Sequence, residues 1–238
     1  MRASKEFAQG LKDAVPICLG YIAVSFAFGI QAVLSGLTVF EASAISLLNV
    51  TSAGQFAGLG VMTAGGSYLE MAAVQLVINL RYALMSAAIS QKLDSSVGLG
   101  QRMGIAYGMT DEIFGISAAR KGKLKPAYSY GAILISVFGW VLGTFLGAFS
   151  GQILPERLIS ALGVALYGMF VAIVVPVAKE DRKVLIAVLA GVALSFVFYY
   201  APVLKTISSG MRIIIVTLIV AGAAAFLFPD IPKEDGQA

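Results

Sequence analysis

Arg81 stands in QLVINLRYALMSA, residues 75–87, flanked by two ten-residue uncharged pieces, MAAVQLVINL and YALMSAAISQ. A guanidinium does not discharge by losing a proton. In apolar surroundings it therefore needs an anionic partner, a set of carbonyl oxygens or a polar ligand. The complementary chemistry is carried by Asp111 and Glu112 in GMTDEIFG, residues 108–115, directly after Thr110. A carboxylate there can bind a cation or carry a proton. Amides and hydroxyls that suit a small polar solute come from Asn79 and from LLNVTSAGQFAGLG, residues 47–60, which holds Asn49, Thr51, Ser52 and Gln55.

The elements that must position these groups are membrane helices. The 238 residues are 58% hydrophobic and 13% charged, with a mean hydropathy of +0.88, far from the composition of a soluble domain. Between Asp13 and Glu41 lie 27 uncharged residues, between Glu41 and Glu70 another 28, and between Lys125 and Glu156 another 30. A hydrocarbon core needs roughly 20 apolar residues in a helix, and Leu158–Ala178, Val184–Leu204 and Ile213–Pro229 come close to or meet that length. Met71–Gln91 and Met103–Ala119 add two crossings if their internal charges are sheltered by protein. The expected fold class is therefore all-α: a polytopic integral membrane protein of about seven or eight spans, some discontinuous at the bilayer midplane, in a single transmembrane domain over residues 1–238. Residues 14–119 form the polar, site-bearing half and 127–229 the regular apolar helices.

The segment MRASKEFAQGLKD has no apolar run ending in a small-residue cleavage site, so the first helix is expected to stay. A net charge of +4 and a pI near 9.2 report orientation on such a chain rather than nucleic-acid binding. With RKGKLK, residues 120–125, in the cytoplasm, eight crossings place eleven of the seventeen basic residues and both termini inside. The single Cys18 excludes an internal disulfide. Absence of His removes the commonest general base and metal ligand, so no metal or cofactor is expected and a zinc-dependent membrane protease is disfavoured.

Each polar stretch has a functional and a structural reading. Residues 47–60 are either a discontinuous span presenting unwound backbone and half-helix ends, or a packing face whose small residues and amides join helices; Gln55 is the favoured ligand there. The Arg81 segment reads as two half-helices meeting at Asn-Leu-Arg, with Asp111 or Glu112 as counter-ion, or as a clamp on carbonyls at a helix break. Thr-Asp at 110–111 reads as the cap of another half-helix, or as an interfacial loop with solvated acids. Gly139, Gly143, Gly147 and Gly151 recur every four residues and form a ridge for helix packing, within the chain or against another subunit. Trp140, Tyr128, Tyr130, Tyr199 and Tyr200 read as interfacial anchors.

Taken in order, Pro16, Gly20 and FAFG at 26–29, AGQF at 53–56, NLR at 79–81, TDE at 110–112 and the GW..GT..G pattern starting at Gly139 resemble the AzlC family. That family is the large subunit of two-component bacterial exporters of branched-chain amino acids. The resemblance implies export of valine, leucine, isoleucine or methionine across the cytoplasmic membrane, proton coupling, and a small hydrophobic AzlD-type partner subunit. It also implies a non-enzymatic role. Family members often carry His directly after NLR, whereas this chain has Tyr82, which moves the proton role to Asp111 or Glu112. A zwitterion with an apolar side chain suits the residues above. Arg81 or half-helix N-termini would take its carboxylate, polar backbone and Gln55 or Asn49 its ammonium, and Phe26, Phe28 and Phe56 its side chain.

Other readings stay open: a carrier or channel for another small solute, a non-transporting scaffold assembled on the glycine ridge, or a membrane enzyme using Asp111 and Glu112. The last is weakened because adjacent acids on one helix point about 100° apart, whereas metal-assisted chemistry wants convergent ligands.

Overall fold

The computed structural model describes residues 2–151, 155, 171, 174–176 and 178–228. The Leu158–Ala178 span, except for a few of its residues, and the C-terminal residues from Pro229 lie outside the described residues. Helices account for all regular elements among those residues. Apart from a 3-10 turn at Leu204–Thr206, the named ones are α1 (Arg2–Asp13), α2 (Val15–Leu34), α3 (Val39–Leu48), α4 (Ser52–Thr63), α5 (Tyr68–Lys92), α6 (Leu99–Tyr107), α7 (Asp111–Ala119), α8 (Pro126–Gly151), α9 (Arg182–Tyr200) and α10 (Ser209–Leu227).

Five helices among the described residues, α2, α5, α8, α9 and α10, are long and apolar enough to cross a membrane. The expected span 42–69 is instead divided into α3 and α4, and 103–119 into α6 and α7. The Arg81 segment corrects the sequence expectation in the opposite sense, because α5 runs unbroken for 25 residues. The physical reason is local. Residues 71–91 contain neither glycine nor proline, and arginine is itself a good helix former.

The scaffold is α8 packed along α2 and α1. The glycine ridge is what lets α8 approach so closely: a Cβ at Gly139 would lie 2.6 Å from the Cys18 carbonyl oxygen, and at Gly143 and Gly147 it would overlap the carbonyl oxygens of Ile22 and Phe26. At Gly151 the nearest atom is Ile30 Cα at 3.5 Å, an ordinary contact. The ridge is thus used inside the chain, against α2. Small buried side chains, Ser25 and Ala32 on α2 with Ala132, Ser136, Thr144 and Ala148 on α8, complete the close-packed zone.

Cations at the ends of α5 and α6 hold backbone. Lys92 Nζ donates to the carbonyls of Ser117, at 3.1 Å, and of Ala118 and Arg120, closing the C-terminal end of α7. Those are groups that a helix end otherwise leaves without partners. Arg102 donates to the carbonyls of Val97 at 3.0 Å, Ser90 at 2.8 Å and Asp94 at 2.9 Å. In the same turn the Asp94 carboxylate accepts from Ser96 N and Ser96 Oγ, which holds its pKa below the usual carboxylate range. Arg120 pairs with Glu6 at 2.9 Å and lies over the Tyr128 ring, fastening the 120–125 loop to α1. On the far side, Ser208 Oγ donates to Glu70, joining the start of α10 to the start of α5.

Candidate functional site

Two interrupted helices build the site. α3 ends where Asn49 leaves helical conformation at φ −135°, ψ 83°. α4 restarts with Thr51 as its N-cap, the hydroxyl accepting from Gly54 N at 3.4 Å. The second interruption follows the same chemistry: Thr110 caps α7 and accepts from Ile113 N at 3.4 Å. Threonine in extended conformation ahead of a helix is a favoured cap, because its oxygen satisfies one of the orphan amides. α7 carries Asp111 and Glu112 in its first turn, whereas α4 carries no acid there. The positive end of the α4 dipole is therefore left without an acidic side chain of its own. The two breaks also touch, since Tyr107 OH at the end of α6 donates to the Leu47 carbonyl near the end of α3.

Between these ends lies a small cleft of about 30 Å³ lined by Ser52, Thr110, Asp111, Glu112, Tyr21 and Trp140, together with Val50 and Tyr82. It adjoins a larger cleft of about 350 Å³ that shares Tyr21, Ser52, Glu112 and Trp140 and is faced by the apolar Ile17 and Val24. That volume falls within the range of small-ligand sites, roughly 300 Å³ and upward. A groove of about 410 Å³ between α9 and α10 is larger, but every residue lining it is apolar. It offers nothing to orient a charged solute.

Arg81 Nη1 lies 2.6 Å from Asp111 Oδ2, and both side chains are 47% exposed. Its Nη2 donates to Tyr82 OH at 3.0 Å. Tyr21 OH lies 2.6 Å from both Thr110 Oγ1 and Glu112 Oε2, bridging α2 to the first turn of α7. The counter-ion that the sequence suggested for Arg81 is thus present as Asp111, while Glu112 has a phenol for company.

The amides form two separate networks. Gln75, Asn79 and Asn49 join α5 to the first break: Asn79 Nδ2 donates to Gln75 Oε1 at 2.9 Å, Asn49 Nδ2 to the same oxygen at 3.4 Å, and Gln75 Nε2 to the Gly54 carbonyl at 2.7 Å. Thr51 Oγ1 donates to Asn79 Oδ1 at 2.9 Å. Gln55 sits elsewhere, 2% exposed. Its Oε1 accepts from Trp140 Nε1 at 2.7 Å and its Nε2 donates to Ser46 Oγ at 2.8 Å, which in turn contacts Thr144 Oγ1 at 2.7 Å.

Several sequence assignments change in consequence. Trp140 and Tyr128, read as interfacial anchors, are buried at 2% and 1% exposure; Trp140 packs edge-on to Tyr21 with centroids 5.1 Å apart, and Tyr128 OH donates to Asp13 at 3.0 Å. Phe28 and Phe56 pack edge-to-face in a core cluster with Ala42, Leu59 and Ala148, and neither lines the cleft. Ile17, Val24, Val50 and Trp140 supply its apolar walls instead. Two residues with clear contacts were absent from the sequence-derived site: Gln75, whose four-residue spacing from Asn79 was a visible signal, and Tyr21, which had none.

A multi-pass helical membrane protein with two capped helix interruptions around a charged cleft is the class that these features define. The chain belongs to the AzlC family: the family model described as AzlC protein matches residues 16–154. It is 29% identical over 203 residues to the inner membrane protein YgaZ of Escherichia coli strain K12, covering 80% of this chain and 83% of YgaZ. It is 35% identical over 196 residues to an uncharacterized membrane protein of Archaeoglobus fulgidus, covering 81% of this chain and 85% of that protein. A membrane protein of Helicobacter pylori strain 26695 is 27% identical over 155 residues, 62% of this chain and 67% of its own length. No solved structure matches.

Proposed function

We propose that this chain is the large subunit of a two-component exporter of branched-chain amino acids, working by alternating access with a small AzlD-type subunit and driven by the proton gradient. The observation that carries this reading is the convergence of the Arg81–Asp111 pair, the Glu112–Tyr21 contact and the acid-free N-terminus of α4 beside an apolar cleft. Anionic groups are stabilised at helix N-termini, and guanidinium binds carboxylates well. A zwitterion with an aliphatic side chain uses all of these features together. Its carboxylate is received by Arg81 and the first amides of α4, at Ser52, and its side chain lies against Ile17, Val24 and Trp140. Asp111 and Glu112 are the groups available for the proton.

In this reading the two helix breaks sit near the bilayer midplane, where interrupted helices of transporters form their sites, and both termini are cytoplasmic. The small subunit covers α5, whose Leu76, Leu80 and Leu84 form an exposed ridge.

The test is efflux of preloaded radiolabelled leucine from cells lacking their own exporters, with and without the small partner. Partner-dependent efflux that disappears in Arg81→Ala, at membrane levels equal to wild type, is the expected result. Equal efflux by wild type and Arg81→Ala would sink the site. A complex that assembles but moves no amino acid would favour the scaffold reading.

A further inference from the structure

The transport reading leaves open what becomes of the ion pair at the edge of the cleft, where Asp111 lines the wall and Arg81 is joined to it. We infer that the Arg81–Asp111 pair is the selector for zwitterions: the substrate enters by opening the pair, its carboxylate taking Arg81 and its ammonium taking Asp111. This inference rests on the proposed function and deepens it.

Three observations carry it. The pair is joined at one point, Nη1 to Oδ2 at 2.6 Å, and Nη2 is turned to the Tyr82 hydroxyl. A guanidinium has five N–H donors, so most remain for a second carboxylate. Both side chains are half exposed, and Asp111 lines the small cleft beside Ser52 and Glu112. Lastly, Lys92 and Arg102, at and beyond the C-terminal end of α5, are committed to three carbonyls each, whereas Arg81 is held by one carboxylate and one phenol.

Electrostatics then sets the specificity. Leaving either charge unpaired within a membrane span is costly. An amine repairs Asp111 and strands Arg81. A simple carboxylate repairs Arg81 and strands Asp111. Only a ligand carrying both signs on neighbouring atoms restores both partners, and the exchange is neutral overall. Three further groups face the pair, namely Glu112 on α7, Tyr82 on α5 and Tyr21 on α2, and of these only Glu112 is an acid. Since Asp111 is occupied by the ammonium, Glu112 becomes the group free to carry a proton.

The experiment measures binding to the full-length protein purified from membranes with its small partner. The ligands are leucine, 3-methylbutylamine, which lacks the carboxylate, and 4-methylpentanoate, which lacks the amine. Wild type is expected to prefer leucine over each analogue by about 100-fold or more, as sites built around a polar partner do. Asp111→Asn is expected to erase most of the preference over 4-methylpentanoate, and Arg81→Gln most of the preference over 3-methylbutylamine. Asp111→Glu should retain both. A pair with only a structural role would weaken all three ligands together and leave the ratios unchanged, which overturns the inference while leucine binding, and with it the transport reading, survives. Wild type that fails to bind leucine overturns both.

Discussion

Trp140 Nε1 donates to Gln55 Oε1 at 2.7 Å, and this bond fastens the half-helix α4 to the scaffold helix α8. Through Ser46 and Thr144 the same chain returns to α8, so one amide anchors α3, α4 and α8 together. Replacing Gln55 by Leu leaves the indole N–H of Trp140 buried without its partner, at a cost of about 1–3 kcal/mol, while Ser46 keeps its contact with Thr144. The apparent melting temperature of the solubilised Gln55→Leu protein should fall. Unchanged melting of Gln55→Leu would show that the network adds nothing to stability.

The glycine ridge gives a graded prediction. Gly147→Ala forces a methyl group into the Phe26 carbonyl and should separate α2 from α8 at a cost of about 1–3 kcal/mol, typical of overpacking. Gly151→Ala, four residues on and with its nearest atom at 3.5 Å, should be neutral. Membrane abundance and thermal stability of the two variants, compared side by side, check the register of the α2–α8 contact.

Tyr21→Phe removes a hydroxyl and keeps the ring that packs on Trp140. Its loss should slow leucine efflux several-fold while leaving the protein level unchanged, because Glu112 and Thr110 lose the group that ties them to α2. A Tyr21→Phe protein with wild-type efflux would remove Tyr21 from the site.

Lys92→Met uncovers three carbonyls at the end of α7. The basic loop at 120–125 should then be cut faster by trypsin in the solubilised protein. Equal cleavage rates for wild type and variant would assign the hold on that loop to the Arg120–Glu6 pair instead.

Much of this arrangement was written in local chemistry. The breaks at 49–51 and 108–110 show as threonine ahead of a helix start, with Asn or Gly before it. The Arg81–Asp111 pairing follows from there being few intramembrane charges to match. The Arg81 segment misled because a charge mid-span looks like an interruption, yet a helix breaks through lost backbone bonds, and nothing in 71–91 removes one. Tyr21 and the burial of Trp140 were illegible for another reason. Whether an aromatic or an amide faces lipid, core or cleft depends on which helices become neighbours, and periodicity within one helix does not contain that.

The hydrogen bond from Tyr107 to Leu47 couples the ends of α3 and α6. Each end abuts its own interruption, so one bond fastens the two breaks to each other, and the hydroxyls and acids they present share a single attachment rather than two independent ones.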